Sequence, residues 1–147
     1  MVDVSDKSDS VRTAVATGVV LLAEEAFQRV RQNNVRKGDV LSVAQIAGIM
    51  GAKKTSQLIP LCHDVQIDGV DVEIQLNEDK HALDIRAFAK TIGVTGVEME
   101  ALTAVSVTAL TIYDMCKSIT KDISISDIQL LAKTGGQSGD YRRPSTE

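Results

Sequence analysis

Two stretches of alternating apolar and polar residues in mid-chain, a long helical stretch after them, and an element order of β-α-α-β-β-α-β together predict an α+β fold. Apart from one extra helix, this is the split β-α-β order of a ferredoxin-like domain, an antiparallel sheet with helices on one face. The 147 residues suffice for one domain with a real core, spanning 1–147 and ending in flexible polar tails at about 1–10 and 134–147.

The elements follow in chain order. Residues Val2 to Ser10 are rich in Asp and Ser with little periodicity, and Arg12 ends that tail. Alternation and β-branching from Thr13 to Val19 favour a strand, and Leu22, Ala26 and Val30 then recur as one face of a helix ended by Asn33-Asn34. Lys37-Gly38-Asp39 reads as a turn. Ser42 with Gln45 forms a capping-box pattern that opens a second helix, predicted to bury Val43, Ile46, Ile49 and Met50 and to stop before Pro60. Val70, Val72, Ile74 and Leu76, then Leu83, Ile85, Ala87 and Ala89 across the polar turn Asn77 to Lys80, make a hairpin with one face buried. Thr95 with Glu98 is a second capping-box pattern, opening a helix that runs to about Lys117 or Ser118. Its apolar residues, among them Ala101, Leu102, Val105, Val107, Leu110, Ile112 and Met115, cover more than one face, so a second subunit is expected to cover what the sheet does not. Ile123 to Leu131 gives the last strand, before a Gly-rich segment from Thr134 to Asp140.

Composition narrows the function. With 16 Lys+Arg against 20 Asp+Glu the net charge is −4, which argues against a general nucleic-acid or anionic-membrane surface. No Trp and only two Phe and two Tyr leave an aliphatic core and no base-stacking platform. Two cysteines, Cys62 and Cys116, form no disulfide framework and no CxxC metal spacing. The acidic, polar start at Met1 is unlike a signal peptide, and the apolar runs are too short to span a bilayer, so a cytoplasmic location is expected.

Few side chains stand out as chemistry on spacing alone. Cys62-His63, in a loop after Pro60, offers a thiol and an imidazole, yet one adjacent pair has neither triad nor metal-ligand geometry. Asp114 and Lys117 share a helix face at i, i+3, as an ordinary surface ion pair does. Lys37 beside Gly38, and Lys133 before Thr134-Gly135-Gly136, suit phosphate contact without the pattern of a phosphate-binding loop. Glu98 and Glu100 are accounted for by capping and the helix dipole. Glu100 and Asp114 lie about 20 Å apart along one helix at 1.5 Å rise per residue, so a site using both ends sits between subunits.

Longer strings carry a specific resemblance. Lys37-Gly-Asp-Val40, Ala47-Gly48, Leu58-Ile-Pro-Leu-Cys-His63, Thr95-Gly-Val-Glu-Met-Glu-Ala-Leu-Thr103, Leu110-Thr-Ile-Tyr-Asp-Met-Cys-Lys117 and Leu130-Leu-Ala-Lys133 before Gly135-Gly136 resemble the molybdenum cofactor biosynthesis protein C family, in order and spacing, almost throughout the chain. The resemblance implies a lyase that converts cyclised dihydro-GTP, made by a radical S-adenosylmethionine GTP cyclase, to cyclic pyranopterin monophosphate with release of pyrophosphate. It implies that Asp114, Lys117 and Lys37 are catalytic and that Leu61, Cys62 and His63, with Met99 and Glu100, bind substrate. Glu98, Arg12 and Lys133 fall in family motifs and are expected at the substrate too. A ferredoxin-like fold and a homohexamer, a trimer of dimers with active sites at the dimer interface, are also implied. No cofactor is required on this reading and no residue is assigned to a metal, with room for Mg²⁺ on the substrate phosphates.

Two positions depart from the family pattern: Asp64, where proline usually follows Cys-His, and Gln137, where relatives commonly carry lysine. The first loosens the loop around His63, and the second shifts phosphate neutralisation towards Lys133. They leave room for a non-catalytic nucleotide-binding module of the same fold, against which the intact Asp114, Lys117 and Lys37 argue. A purely structural oligomer, the third reading, would bind no nucleotide.

Overall fold

The computed structural model describes residues 1–144; the last three residues of the expected C-terminal tail, 145–147, lie outside the described residues. Its elements are β1 (Ser10–Leu21), α1 (Glu24–Arg31), α2 (Val40–Ala52), α3 (Thr55–Leu58), β2 (Gly69–Asn77), β3 (Ala82–Gly93), α4 (Glu98–Cys116), β4 (Ser124–Thr134) and β5 (Tyr141–Arg142). The strands form one sheet in the order β2-β3-β1-β4-β5, antiparallel at every pairing. The α+β ferredoxin-like class read from the sequence holds. The one-turn α3 and the two-residue β5 were too short to show any periodicity. β5 pairs Tyr141 with Lys133 and Arg142 with Ala132, so part of the segment read as a polar tail extends the sheet.

The predicted hairpin has the register that the alternation demands, with Val72 opposite Ala87, Ile74 opposite Ile85 and Leu76 opposite Leu83. β1 pairs without interruption along β3, and its alternate residues Arg12, Ala14, Ala16, Gly18 and Val20 are buried under the helices. They are mostly small because α4 crosses close above: a Cβ on Gly18 would stand 2.6 Å from Val105 Cγ1. The β1–β4 register slips at Val15/Ala16 and at Thr17/Val19, the second slip lying opposite Asp127, whose φ is 53°.

Two expectations for the helices need correction. α2 does not bury Val43, Ile46 and Met50: Ile46 is 58% and Met50 61% exposed, and Val43 is exposed too. Its inward face is Val40, Ala44, Gly48, Gly51 and Ala52, because α2 packs tightly along α4, where only small residues fit. Ile49 lies half-buried between the two faces. The N-cap is Asp39 rather than Ser42; its carboxylate accepts from the Ser42 amide at 3.0 Å and the Ser42 hydroxyl at 2.8 Å. In α4 the expected Thr95/Glu98 box does not form, since the helix begins at Glu98 after Val97 with no side-chain cap. The Glu98 carboxylate turns instead to Lys133.

Helix α4 is the central pillar. Ala101, Ala104, Val105, Ala109 and Ile112 are fully buried between α2 and the sheet. Leu110 stays 60% exposed, and the uncovered face of the sheet carries exposed Val11, Phe88 and Ile92.

Candidate active site

One cluster of polar side chains sits at the C-terminal end of α4. Asp114 occupies its last turn and Lys117 is the C-cap residue, so the i, i+3 spacing brings Lys117 Nζ to 2.7 Å from Asp114 Oδ1. Lys37 arrives from the α1–α2 turn, where Gly38, at φ 107°, supplies the left-handed backbone and its amide bonds the Val35 carbonyl at 3.0 Å. Lys37 Nζ donates to Asp114 Oδ2 at 2.6 Å and to the Asp114 carbonyl at 3.1 Å. Both carboxylate oxygens therefore carry an ammonium partner.

The electrostatics follow from that arrangement. Hydrogen bonds from Lys117 and then Lys37 hold the Asp114 carboxyl down to about 2. The same hydrogen bond and the charge of Asp114 push the Lys117 ammonium above its ordinary value. In the free protein Lys117 is a protonated donor beside an ionised acceptor. All three side chains are about half-exposed, so a ligand can reach them.

A second group gathers at the N-terminal end of α4. The loop after α3 is fastened by the Cys62 amide on the Ile59 carbonyl at 3.2 Å and by Ser56 Oγ on Asp64 Oδ1 at 2.9 Å. Asp64 thus ties the loop to α3, a restraint of a different kind from a proline ring. Cys62, His63, Met99 and Glu100 line a cavity of about 230 Å³ with Glu98 and Thr95 at its edge. Leu61 does not line it and is 71% exposed. Burial, then the charge of Glu100, pushes the Cys62 thiol up, so it is a neutral wall and weak donor rather than a thiolate nucleophile. Glu100 is only 2% exposed, and its Oε2 has no hydrogen-bond partner among the described residues. Burial, reinforced by Glu98 and Asp64, raises its carboxyl pKa against the pull of a backbone hydrogen bond. A buried polar atom without a partner, aimed at a cavity wall, suits a ligand that supplies the missing hydrogen bond.

Beside this cavity lies a smaller one of about 170 Å³, lined by Lys7, Arg12, Glu98, Lys133, Gly135 and Ser138 among others. Lys133 Nζ pairs with Glu98 at 3.1 Å and donates to Ser138 Oγ at 2.9 Å. Arg12, itself buried near the start of β1, donates from Nε to the Gly93 carbonyl at 2.8 Å. Glu98 borders both cavities, so Arg12 and Lys133 join Cys62, His63, Met99 and Glu100 in one continuous region.

The fold therefore brings the sequence-derived candidates into two groups but not into one. Glu98 and Asp114 are separated by most of α4, about 24 Å at 1.5 Å rise per residue.

The family model for the MoaC family matches residues 1–136. The chain belongs to the MoaC family. A relative from Salinibacter ruber called cyclic pyranopterin monophosphate synthase is 67% identical over 147 residues, covering 100% of this chain and 86% of that protein. One of the same name from Peptoclostridium acidaminophilum is 57% identical over 145 residues, covering 99% and 91%. The human molybdenum cofactor biosynthesis protein 1 is 54% identical over 143 residues, 97% of this chain but 22% of its own length. The family resemblance read from the motifs is thereby established over nearly the whole chain. Among the described residues no helix is long and apolar enough to cross a membrane.

Proposed function

We propose that this chain is a cyclic pyranopterin monophosphate synthase, a lyase of molybdenum cofactor biosynthesis acting on cyclised dihydro-GTP with release of pyrophosphate. The observation that carries the reading is the pairing of a charged acid–base cluster, Lys37–Asp114–Lys117, with a cavity region that joins cations to a buried carboxyl. A polyphosphate nucleotide needs the second and ring rearrangement needs the first. Names of close relatives favour turnover over a non-catalytic nucleotide-binding module.

Arg12 and Lys133 hold the phosphates, and arrival of a phosphate draws Lys133 away from Glu98. Cys62, His63, Met99 and Glu100 hold the base, with the Glu100 carboxyl taking up the hydrogen bond it lacks in the free protein; Leu61 closes the loop over it from outside. Lys117 gives a proton to the opening ring system and regains one from solvent, with Asp114, 2.7 Å away, orienting its ammonium, while Lys37 keeps that carboxylate ionised and in place. Closure of the cyclic phosphate is attack of a sugar hydroxyl oxygen on the α-phosphorus. The hydroxyl proton passes to a base and the bond to the β-phosphate oxygen breaks, so pyrophosphate leaves with the bonding pair. Mg²⁺, where it takes part, travels with the phosphates, and no further cofactor is invoked.

Because the two groups stand at opposite ends of α4, each site draws its Asp114 end from one protomer and its cavity end from another. The exposed Ile46, Met50 and Leu110, with Val11, Phe88 and Ile92 on the sheet, supply apolar surface for a homohexamer built as a trimer of dimers. The substrate comes from a radical S-adenosylmethionine GTP cyclase, and both enzymes work in the cytoplasm. The test is pyrophosphate release from cyclised dihydro-GTP by the purified protein. Release by the parent supports the proposal, and a folded oligomer that binds the substrate without releasing pyrophosphate overturns it.

A further inference from the structure

We propose that Ser56 and Asp64 are positioning residues for the base end of the substrate, their hydrogen bond holding the loop that carries Cys62 and His63 in the shape that receives it. The inference rests on the function proposed above, which places the base against Cys62, His63 and Glu100, and adds two residues that touch no substrate. Helix α3 is a fixed post: Thr55 is 2% exposed, and its hydroxyl donates to the Ala52 carbonyl at the end of α2 at 2.8 Å. Ser56 is the next residue. From that post its hydroxyl donates to Asp64 Oδ1 at 2.9 Å, a bridge across eight positions of the chain.

The bridge meets the loop between its other fastenings. On the α3 side the Cys62 amide bonds the Ile59 carbonyl at 3.2 Å. On the sheet side the Gln66 carbonyl accepts from the buried Thr91 hydroxyl at 2.6 Å. Asp64 lies between these anchors, next to His63, and among the described residues no lysine or arginine pairs with its exposed carboxylate. The Ser56 hydroxyl is thus the group that keeps the middle of the loop from swinging into solvent. Such a swing would carry off the His63 imidazole and the Cys62 thiol, which line the cavity with Glu100. Burial, and after it the charges of Glu98 and Asp64, raise the Glu100 carboxyl, so the clamped carboxylate is also felt across that cavity. A loop held in its binding shape before the ligand arrives spares the ordering cost that binding otherwise meets.

The test follows loop and substrate separately in the parent, Ser56→Ala, Asp64→Ala, the double variant and Asp64→Asn, which keeps an acceptor for Ser56 without the charge. One readout is alkylation of Cys62 by iodoacetamide in the free protein, where the fully buried Cys116 stays silent. Burial is what raises the Cys62 thiol, so a loosened loop reacts faster. The other readout is steady-state turnover of cyclised dihydro-GTP. Each alanine variant is expected to speed alkylation and to raise KM about fivefold with kcat within about twofold. The double variant should match the singles, and Asp64→Asn should return both readouts to within about twofold of the parent. Alkylation or KM in Ser56→Ala within about twofold of the parent overturns the inference. Single effects that multiply in the double variant overturn it too, as does an Asp64→Asn protein as impaired as Asp64→Ala. The two readings fail separately. A parent without turnover whose alkylation still depends on Ser56 and Asp64 as a pair refutes the proposed reaction and keeps the clamp, whereas normal turnover with alkylation and KM indifferent to both does the reverse.

Discussion

Replacing Gly48 by alanine probes the α2–α4 seam. Helix propensity alone favours alanine by about 1 kcal/mol at an interior position. Against this, the new methyl group would meet Thr108 Oγ1, and would lie 2.9 Å from the Ala104 carbonyl oxygen and 3.3 Å from Val72 Cγ2. Forcing a methyl group into such a seam costs about 1–3 kcal/mol. The fully buried Thr108 hydroxyl donates to that same Ala104 carbonyl at 2.8 Å, and turning it away strands both groups at a further cost of about 1–3 kcal/mol. The net expectation is a loss of about 1–5 kcal/mol, read as a fall in Tm of roughly 4 °C for each kcal/mol at this chain length. Calorimetry at fixed protomer concentration measures it. Gly69→Ala is the control, because nothing lies within 4 Å of a Cβ there, and its effect should stay within about 0.5 kcal/mol. A Gly48→Ala protein as stable as the parent would refute the close-packing argument.

Asp114→Asn and Lys117→Ala should each lower turnover by at least about 100-fold with unchanged circular dichroism; an active or an unfolded variant contradicts the roles assigned. Asp114 is held down to about 2 from its ordinary 3.8. Its pairing therefore stabilises the fold at neutral pH and down to about 3.8, and on the acid side is lost as pH falls towards 2, so the Tm difference between parent and Asp114→Asn should close over that acid window. Glu100 has the opposite sign. With its pKa raised by burial, the unfolded chain releases the proton first, so its ionisation costs stability as pH rises above the ordinary 4.5. Glu100→Gln should accordingly melt higher than the parent at neutral pH and no higher at pH 4, and a gain independent of pH counts against a buried ionisable carboxyl. Gly136→Ala places a Cβ against Arg12 Nη1 at a φ of +85°, so KM should rise more than kcat falls, and unchanged kinetics would detach Arg12 from the phosphates.

The strands were legible because half-buried sheets impose a period of two, and the β2–β3 register follows from it residue for residue. α2 misled for a physical reason. Reading large apolar residues as inward ignores that close helix approach selects Gly48, Gly51 and Ala44 and turns Ile46 and Met50 outward. The capping box at Thr95 failed because Glu98 has a competing partner, Lys133, distant in sequence and joined to it only by the folded sheet. At the site, Asp114 and Lys117 could be paired from helical spacing, while the arrival of Lys37 depends on a contact across 77 residues.

Helix α4 keeps its acid–base end and its phosphate end on one stiff rod, and this has a genetic consequence. When each site borrows one end from each of two protomers, an Asp114 lesion and an Arg12 lesion in separate copies need not fall in the same site. A mixed dimer contains one site bearing both lesions and one bearing neither. Two inactive alleles expressed together should then yield active protein, with roughly a quarter of sites intact under random pairing, whereas both lesions carried on a single allele leave every site defective.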